Sequence, residues 1–284
     1  MKIIECPRDA WQGYLPFIPT EEKIKYLSTL LRVGFDTIDL GSFVSPRAMP
    51  QVRDTAEVLR GLDRTGTSSR LLAIVANERG AQEACQFDAL TYLGYPFSIS
   101  ETFQRRNTNA TIEASVGRVE AMQVLCEQYG KELVIYISMG FGNPYGDPWA
   151  PEVALEWIEK LAALGIRTFS LSDTVGVATP ETITELFTGL LSTPESRTAL
   201  EFGAHFHTTP QHWREKVAAA YAAGCRRFDG ALLGYGGCPM AQDELVGNMP
   251  TENLVAFAQE KGEALALDEV LLAQARQQFA ALVQ

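Results

Sequence analysis

The chain has 284 residues, 46% hydrophobic and 21% charged, the balance of a soluble globular protein with a core large enough to need no disulfide support. Its formal net charge of −11 argues against general nucleic-acid binding and against adsorption to a membrane surface, since both need an excess of Lys and Arg. Five scattered cysteines form no framework, no apolar run is long enough to span a bilayer, and Met1-Lys2-Ile3-Ile4-Glu5 has no signal- or transit-peptide shape, so a reducing, cytoplasmic setting is expected.

Strand-like runs are expected at Ile3–Cys6, Thr37–Leu40, Arg70–Val75, Ala89–Leu93, Leu133–Ser138, Thr168–Ser172, Leu200–His207 and Arg227–Leu232. They are rich in Val, Ile, Leu, Phe or Tyr and end near Gly, Pro, Ser, Asp or Asn. Helical patterns lie between them. Thr20–Val33 opens on Thr20 and two acids, suited to a helix N-terminus. Thr111–Tyr129 is the longest. Pro151–Ala163 and Pro180–Leu191 each start on a proline, and Trp213–Ala223 and Thr251–Lys261 each stop at a glycine. Asp268–Leu282 closes the chain.

Eight strands alternating with helices imply an all-parallel sheet covered on both faces, and the strands accordingly lack clean polar–apolar alternation. Eight such units in this length fit an α/β fold of the closed (β/α)8 TIM-barrel type, a single domain over residues 1–284. An open doubly wound sheet is the alternative. It would usually show a Gly-rich phosphate loop after the first strand, where this chain has Cys6-Pro7-Arg8-Asp9.

A barrel places its chemistry at the C-terminal ends of its strands. The polar residues there are Arg8, Asp9 and Gln12; Asp39 and Ser42; Ser172-Asp173-Thr174; His205 and His207; and Gly234-Tyr235-Gly236-Gly237-Cys238-Pro239 followed by Gly247-Asn248. Two of the chain's three histidines stand in Ala204-His205-Phe206-His207. Alternation along a strand turns both imidazoles to one face, which is half of a metal site. Asp9 and Asn248 complete a set of two imidazoles, one carboxylate and one amide oxygen. That set suits Mg²⁺ or Mn²⁺, and Zn²⁺ and Fe²⁺ are also compatible. The plainer reading is two polar residues of a strand. Arg8 reads either as an ion-pair partner of Asp9 or as a donor to negative charge growing on a substrate oxygen, which is worth ~3–4 kcal/mol when preorganised. Cys238, in a Gly-Gly-Cys-Pro turn, is either a small buried residue or a reactive thiol on a mobile loop. Arg105-Arg106 and Arg47 with Arg53 offer local basic clusters for an anionic small ligand, although each alone reads as surface.

Taken together, Pro7-Arg8-Asp9 with Gln12, Ser42-Phe43-Val44-Ser45-Pro46-Arg47 with Pro50-Gln51, Asn77 with Gly80, Ser100-Glu101-Thr102-Phe103 with Asn107 and Asn109, Ser172 through Pro180, His205-Phe206-His207, Gly234 through Pro239, and Gly247-Asn248 with Thr251 through Val255 resemble the 3-hydroxy-3-methylglutaryl-CoA lyase family. These are metal-dependent barrel lyases related to isopropylmalate and homocitrate synthases. The similarity runs nearly end to end, and the Gly-Gly-Cys-Pro loop is the mark of the lyase branch. The resemblance implies a divalent cation, Mg²⁺ or Mn²⁺, on Asp9, His205, His207 and Asn248. It also implies catalytic roles for Arg8, Asp9, His205 and Cys238, and a pocket lined by Glu5, Gln12, Asp39, Ser42 and Asp173. The expected reaction is retro-Claisen cleavage of 3-hydroxy-3-methylglutaryl-CoA, or a close analogue, to acetyl-CoA and acetoacetate. The implied partner is an acyl-CoA substrate, with no nucleic acid and no membrane, and a homodimer is compatible with this reading. The competing readings are a superfamily lyase or aldolase acting on another branched hydroxyacyl-CoA or a 2-oxo acid, and a non-catalytic metal-binding barrel.

Overall fold

The computed structural model describes residues 1–192, 198–237 and 246–284. Its strands are β1 (Lys2–Glu5), β2 (Thr37–Ser42), β3 (Arg70–Ile74), β4 (Tyr92–Ser98), β5 (Glu132–Ser138), β6 (Thr168–Asp173), β7 (Glu201–Phe206) and β8 (Arg227–Gly230). They form a closed barrel in sequence order, every neighbouring pair parallel, and β8 returns to β1 through Lys2↔Arg227 to Glu5↔Gly230. The chain therefore has the (β/α)8 TIM-barrel fold expected of it.

The described helices are α1 (Pro7–Trp11), α2 (Thr20–Val33), α3 (Thr55–Gly61), α4 (Glu78–Cys85), α5 (Glu101–Thr108), α6 (Ile112–Tyr129), α7 (Pro151–Ala163), α8 (Pro180–Leu190), α9 (Trp213–Ala222), α10 (Thr251–Glu260) and α11 (Glu269–Leu282). The ring of helices closes where α11 lies on α2, with Tyr26 stacked on Phe279 at 5.5 Å between centroids. No helix among the described residues is long and apolar enough to cross a membrane.

Strand parity sorts the side chains into two layers. On β5, Leu133, Ile135 and Ile137 join the large core between barrel and helices. Val134 and Tyr136 join a small core inside the barrel with Leu72, Ile74 and Tyr92. On β6, β7 and β8 the outer layer takes Phe169, Leu171, Phe202, Ala204, Phe206 and Phe228. The opposite parity turns Ser170, Ser172, His205, Arg227 and Asp229 into the barrel. Both layers are apolar over much of their extent, which is why the strands show no simple alternation.

Most strand and helix boundaries fall within two residues of expectation. The fourth strand is the exception: it begins at Tyr92 and runs to Ser98, through Pro96, rather than ending at Leu93. A proline reads against a strand interior, because it has no N–H to give. Here pairing with β3 stops at Ile74↔Gly94, so Pro96, facing the same side as Gly94, removes no bond from that ladder. Pairing with β5 continues to Ser98↔Ser138.

Candidate metal centre and its cavity

The first-strand motif acts through α1, a five-residue helix that follows β1 after a single residue and has Pro7 at its first turn. It folds Arg8 and Asp9 over the C-terminal mouth of the barrel, both almost fully buried. The closest approach of the glycine-rich segment is made at the same place. Gly236, at φ +95°, lies so near that a Cβ would stand 2.6 Å from the Asp9 carbonyl oxygen, so no other residue fits there.

Asp9, His205 and His207 each offer a ligand atom within 4.8 Å of the others. His205 Nε2 is 3.8 Å and His207 Nε2 4.0 Å from Asp9 Oδ2. Two donors each ~2.1 Å from a shared ion lie between ~3 and ~4.2 Å apart, depending on the angle they subtend. The remaining ring atoms are committed elsewhere. His207 Nδ1 lies 2.9 Å from the Thr174 carbonyl oxygen, which can only accept, so the proton sits on Nδ1 and the Nε2 lone pair faces Asp9. His205 Nδ1 lies 3.1 Å from Asp229 Oδ2, a carboxylate also held by Ser170 Oγ at 3.1 Å. Such outer partners fix tautomer and ring orientation. Among the described residues, Asp9 Oδ2 and His207 Nε2 are buried with no hydrogen-bond partner. Two unpaired acceptors facing each other across 4 Å are costly on their own and fit a cation between them.

Asn248 reaches the centre by backbone pairing. It bridges antiparallel to His207, Thr208 N donates to Gly247 O at 2.8 Å, and Met249 N donates to Phe206 O at 3.1 Å. Its Nδ2 donates to the Tyr235 carbonyl at 2.9 Å, and the amide stands close enough to the Asp9 carboxylate to help lower its pKa.

Arg8 is clamped from both sides. Nε and Nη2 donate to the Asp39 carboxylate, and Nη1 donates to Asp9 Oδ1 at 2.7 Å and to Gln12 Oε1 at 3.0 Å. Burial works against the guanidinium charge, but the two carboxylates more than restore it and raise its pKa above the ordinary arginine value. Burial would likewise raise Asp9, yet Arg8 and the two imidazoles bring its carboxyl down to about 2. At Asp39 burial wins and pushes it to about 6. Burial and the neighbouring His205 push His207 down to about 4, so its imidazole is neutral.

The centre forms one end of a cavity of about 840 Å³. Arg8, Asp9, Gln12, His205 and His207 lie on its wall with Tyr136, Ser138 and Ser172. Tyr14, Phe17, Val44, Met49 and Phe103 supply apolar surface, and Arg106, Asn107 and Arg118 supply polar groups. An apolar enclosure with a few convergent polar groups is the usual make-up of a small-molecule site. Of the arginines expected to serve an anion, Arg106 lines this cavity and stacks on Tyr145 at 4.6 Å, while Arg105 pairs with Glu101 at the surface.

The expected pocket residues are corrected by this geometry. Only Gln12 lines the cavity. Glu5 shares the parity of Ile3 and faces outward, accepting from Leu232 N and Thr251 Oγ1 beneath α10. Asp173 shares the parity of Leu171 and faces α9, where it pairs with Lys216 at 2.6 Å. Asp39 faces inward but is spent on Arg8, and Ser42 Oγ donates to Ile74 O. Cys238 lies outside the described residues, as does the rest of the loop through Leu245. Asp229, Lys216 and the Thr174 carbonyl went unmarked in the sequence. A signal existed for Asp229 alone: it is an acid within a predicted strand, sharing the parity of Arg227.

Comparison with known proteins places these features in context. The HMGL-like family model matches residues 3–279. The cytoplasmic 3-hydroxy-3-methylglutaryl-CoA lyase of Rattus norvegicus is 32% identical over 257 residues, 90% of this chain and 73% of that protein. The hydroxymethylglutaryl-CoA lyase of Bacillus subtilis is 32% identical over 253 residues, 88% of this chain and 81% of that protein. Among solved structures, an HMG-CoA lyase from Acinetobacter baumannii in complex with coenzyme A and 3-methylmalate is 31% identical. It superposes with a TM-score of 0.90 over 100% of this chain and 91% of its own.

Proposed function

The chain belongs to the HMGL-like family, and from that premise we propose that it is a divalent-metal-dependent lyase cleaving 3-hydroxy-3-methylglutaryl-CoA, or a close analogue, to acetyl-CoA and acetoacetate. The observation that carries the reading is the pair of buried acceptors, Asp9 Oδ2 and His207 Nε2, unpartnered among the described residues and facing His205 Nε2 on the wall of a cavity. One catalytic domain over residues 1–284, a cytoplasmic location, and Mg²⁺ or Mn²⁺ as the ion belong to the same proposal. Asp9, His205, His207 and Asn248 would hold the ion, which would supply Lewis acidity to the substrate's hydroxyl.

The protein's own groups do the rest. Asp9 takes the hydroxyl proton as the alkoxide forms, since the one lone pair of neutral His205 would be held by the ion. The alkoxide becomes the ketone of acetoacetate, and the electron pair of the broken C–C bond passes to the thioester as an enolate. Arg8, fixed between Asp9 and Asp39, stabilises the negative oxygen without having to reorganise. Cys238 returns a proton to the enolate carbon, giving acetyl-CoA.

The test is product analysis. Incubation with 3-hydroxy-3-methylglutaryl-CoA and Mn²⁺ yields equal amounts of acetyl-CoA and acetoacetate, and prior chelation abolishes both. If metal-loaded protein forms neither product from this thioester or its branched analogues, the reading is wrong.

A further inference from the structure

His205 belongs to two clusters. Its Nε2 looks toward Asp9 and His207, while its other edge meets Asp229 and Cys6, and one ligand atom from each of Cys6, His205 and Asp229 lies within 4.8 Å of the others. All three groups are at least nine-tenths buried or nearly so: Cys6 is 1% and Asp229 2% exposed, and the His205 side chain 12%. Asp229 Oδ2 is 3.1 Å from His205 Nδ1, and Asp229 Oδ1 has no hydrogen-bond partner among the described residues. Among the described residues, Cys6 Sγ makes only a long contact of 3.7 Å to the Ile4 carbonyl. Nothing in the lyase reaction uses this thiol.

We propose that Cys6, His205 and Asp229 form a second cation site, selective for thiophilic ions such as Zn²⁺ or Cd²⁺, whose occupation excludes an ion from the Asp9–His205–His207 centre. The exclusion rests on the reading of that centre given above; the inner site itself does not.

Donor chemistry separates the two sites. One sulfur, one imidazole and one carboxylate form a set that zinc and cadmium favour, whereas Mg²⁺ and Mn²⁺ prefer oxygen-rich sites such as the outer one. Charge separates them less, since Asp229, Asp39 and Asp9 all stand around Cys6 and favour any cation, with Arg8 opposing. The exclusion follows from the proton count on one imidazole. A neutral ring has one lone pair and one N–H. With the proton on Nδ1 and directed at Asp229, Nε2 is free for the outer ion. When an inner ion takes Nδ1, the ring proton moves to Nε2, where it points at Asp9 Oδ2 and no lone pair remains. The thiol proton leaves to solvent, and the resulting thiolate is balanced by the ion. Nothing is oxidised or reduced. The consequence is a built-in sensitivity: a thiophilic ion silences the enzyme from behind a catalytic ligand, without competing for substrate.

The test uses the full-length protein carrying Cys238→Ala, so that the loop thiol does not report. Cadmium titration produces the ultraviolet thiolate-to-cadmium charge-transfer band at one equivalent, and Cys6→Ser in the same background removes it. Mn²⁺ bound beforehand, followed by its electron paramagnetic resonance signal, is released in step with the growth of that band. Diffraction from a cadmium-soaked crystal needs no substitution and locates the ion between Cys6 Sγ and Asp229. A band that survives Cys6→Ser, or a cadmium ion found away from Cys6, overturns the inner site. A molecule that keeps both its Mn²⁺ and its cadmium band overturns the exclusion. Failure of Mn²⁺ to bind at all would instead count against the outer centre, and the cadmium band would still decide the inner one.

Discussion

At the scale of the residue, the decisive feature is how each imidazole is held rather than its presence. His207 is oriented by a backbone carbonyl, which no side-chain substitution removes. His205 is oriented by Asp229 and is open to test. Asp229→Asn replaces an acceptor-only group by an amide that can present either end, so the Nδ1–H tautomer loses its preference. The expected result is divalent-cation affinity weaker by about 10–100-fold with the fold retained, as outer partners of metal-bound histidines generally give. Titration calorimetry with Mn²⁺ measures it. A role confined to packing would lower the melting temperature and leave the affinity unchanged. The His205–His207 pair was legible because alternation on a strand needs no tertiary information, and Asp9 because it follows a strand end. Glu5 and Asp173 were misplaced for the same reason in reverse: both lie at strand ends, but the parity they share with Ile3 and Leu171 sends them to the helix side. Seeing that requires the strand register, which resemblance alone does not supply.

At the scale of the element, the exits of β6 and β7 are tied together by one ammonium group. Lys216 on α9 is 3% exposed and donates to Asp173 Oδ2, to the Gly176 carbonyl at 3.0 Å and to the His207 carbonyl at 3.1 Å. Three bonds converge from two strand exits onto a helix, so the position of His207 depends on α9 docking. Lys216→Met leaves the Asp173 charge buried without its partner, and the expected loss is about 3–5 kcal/mol of unfolding free energy. Chemical denaturation measures it, and Asp173→Asn in addition should restore part of the loss, because the stranded charge is then gone. The long helices were legible from their prolines, glycines and acidic first turns. The short α1, α3, α4 and α5 were not. Helix α4 carries Gly80 in its first turn, which reads as a helix breaker, yet a Cβ there would stand 2.3 Å from the Phe43 carbonyl oxygen, so the glycine is set by packing against the segment that leaves β2. Helix α5 is largely polar and is held from outside, its N-terminus capped by Ser100 and braced by Asp147, which accepts from Thr102 N at 2.9 Å. Tertiary contacts of this kind leave no periodic trace in a short segment.

At the scale of the whole molecule, the count of alternating strands and helices, with no Gly-rich loop after the first strand, was enough to favour a closed barrel over an open sheet. The division of the barrel into an apolar half around Tyr92, Val134 and Tyr136 and a polar half around Ser170, Arg227 and Asp229 was not visible, since it depends on which parity points inward. The same division leaves Glu5 as an acid in the outer core, and that has a consequence for stability. Burial pushes Glu5 up to about 8, only partly offset by the hydrogen bonds from Thr251 and Leu232. In the unfolded chain the group titrates near 4.5. Between these two values the folded state keeps a proton that the unfolded state has released. The stability contributed by protonated Glu5 is therefore fully present below about pH 4.5 and is lost as pH rises through about 8. The slope from this one group is about 1.4 kcal/mol per pH unit inside that window. Glu5→Gln keeps the size and neutrality of the protonated acid, and Thr251 can reverse its hydroxyl to accept from the new amide. Unfolding free energies measured by denaturant at several pH values should thus fall more steeply with rising pH in the parent protein than in the variant, with the two curves diverging from about pH 5 upward. Parallel curves would mean that Glu5 is ionised in the folded protein, and that the strand-to-helix contact at Thr251 is a charged one.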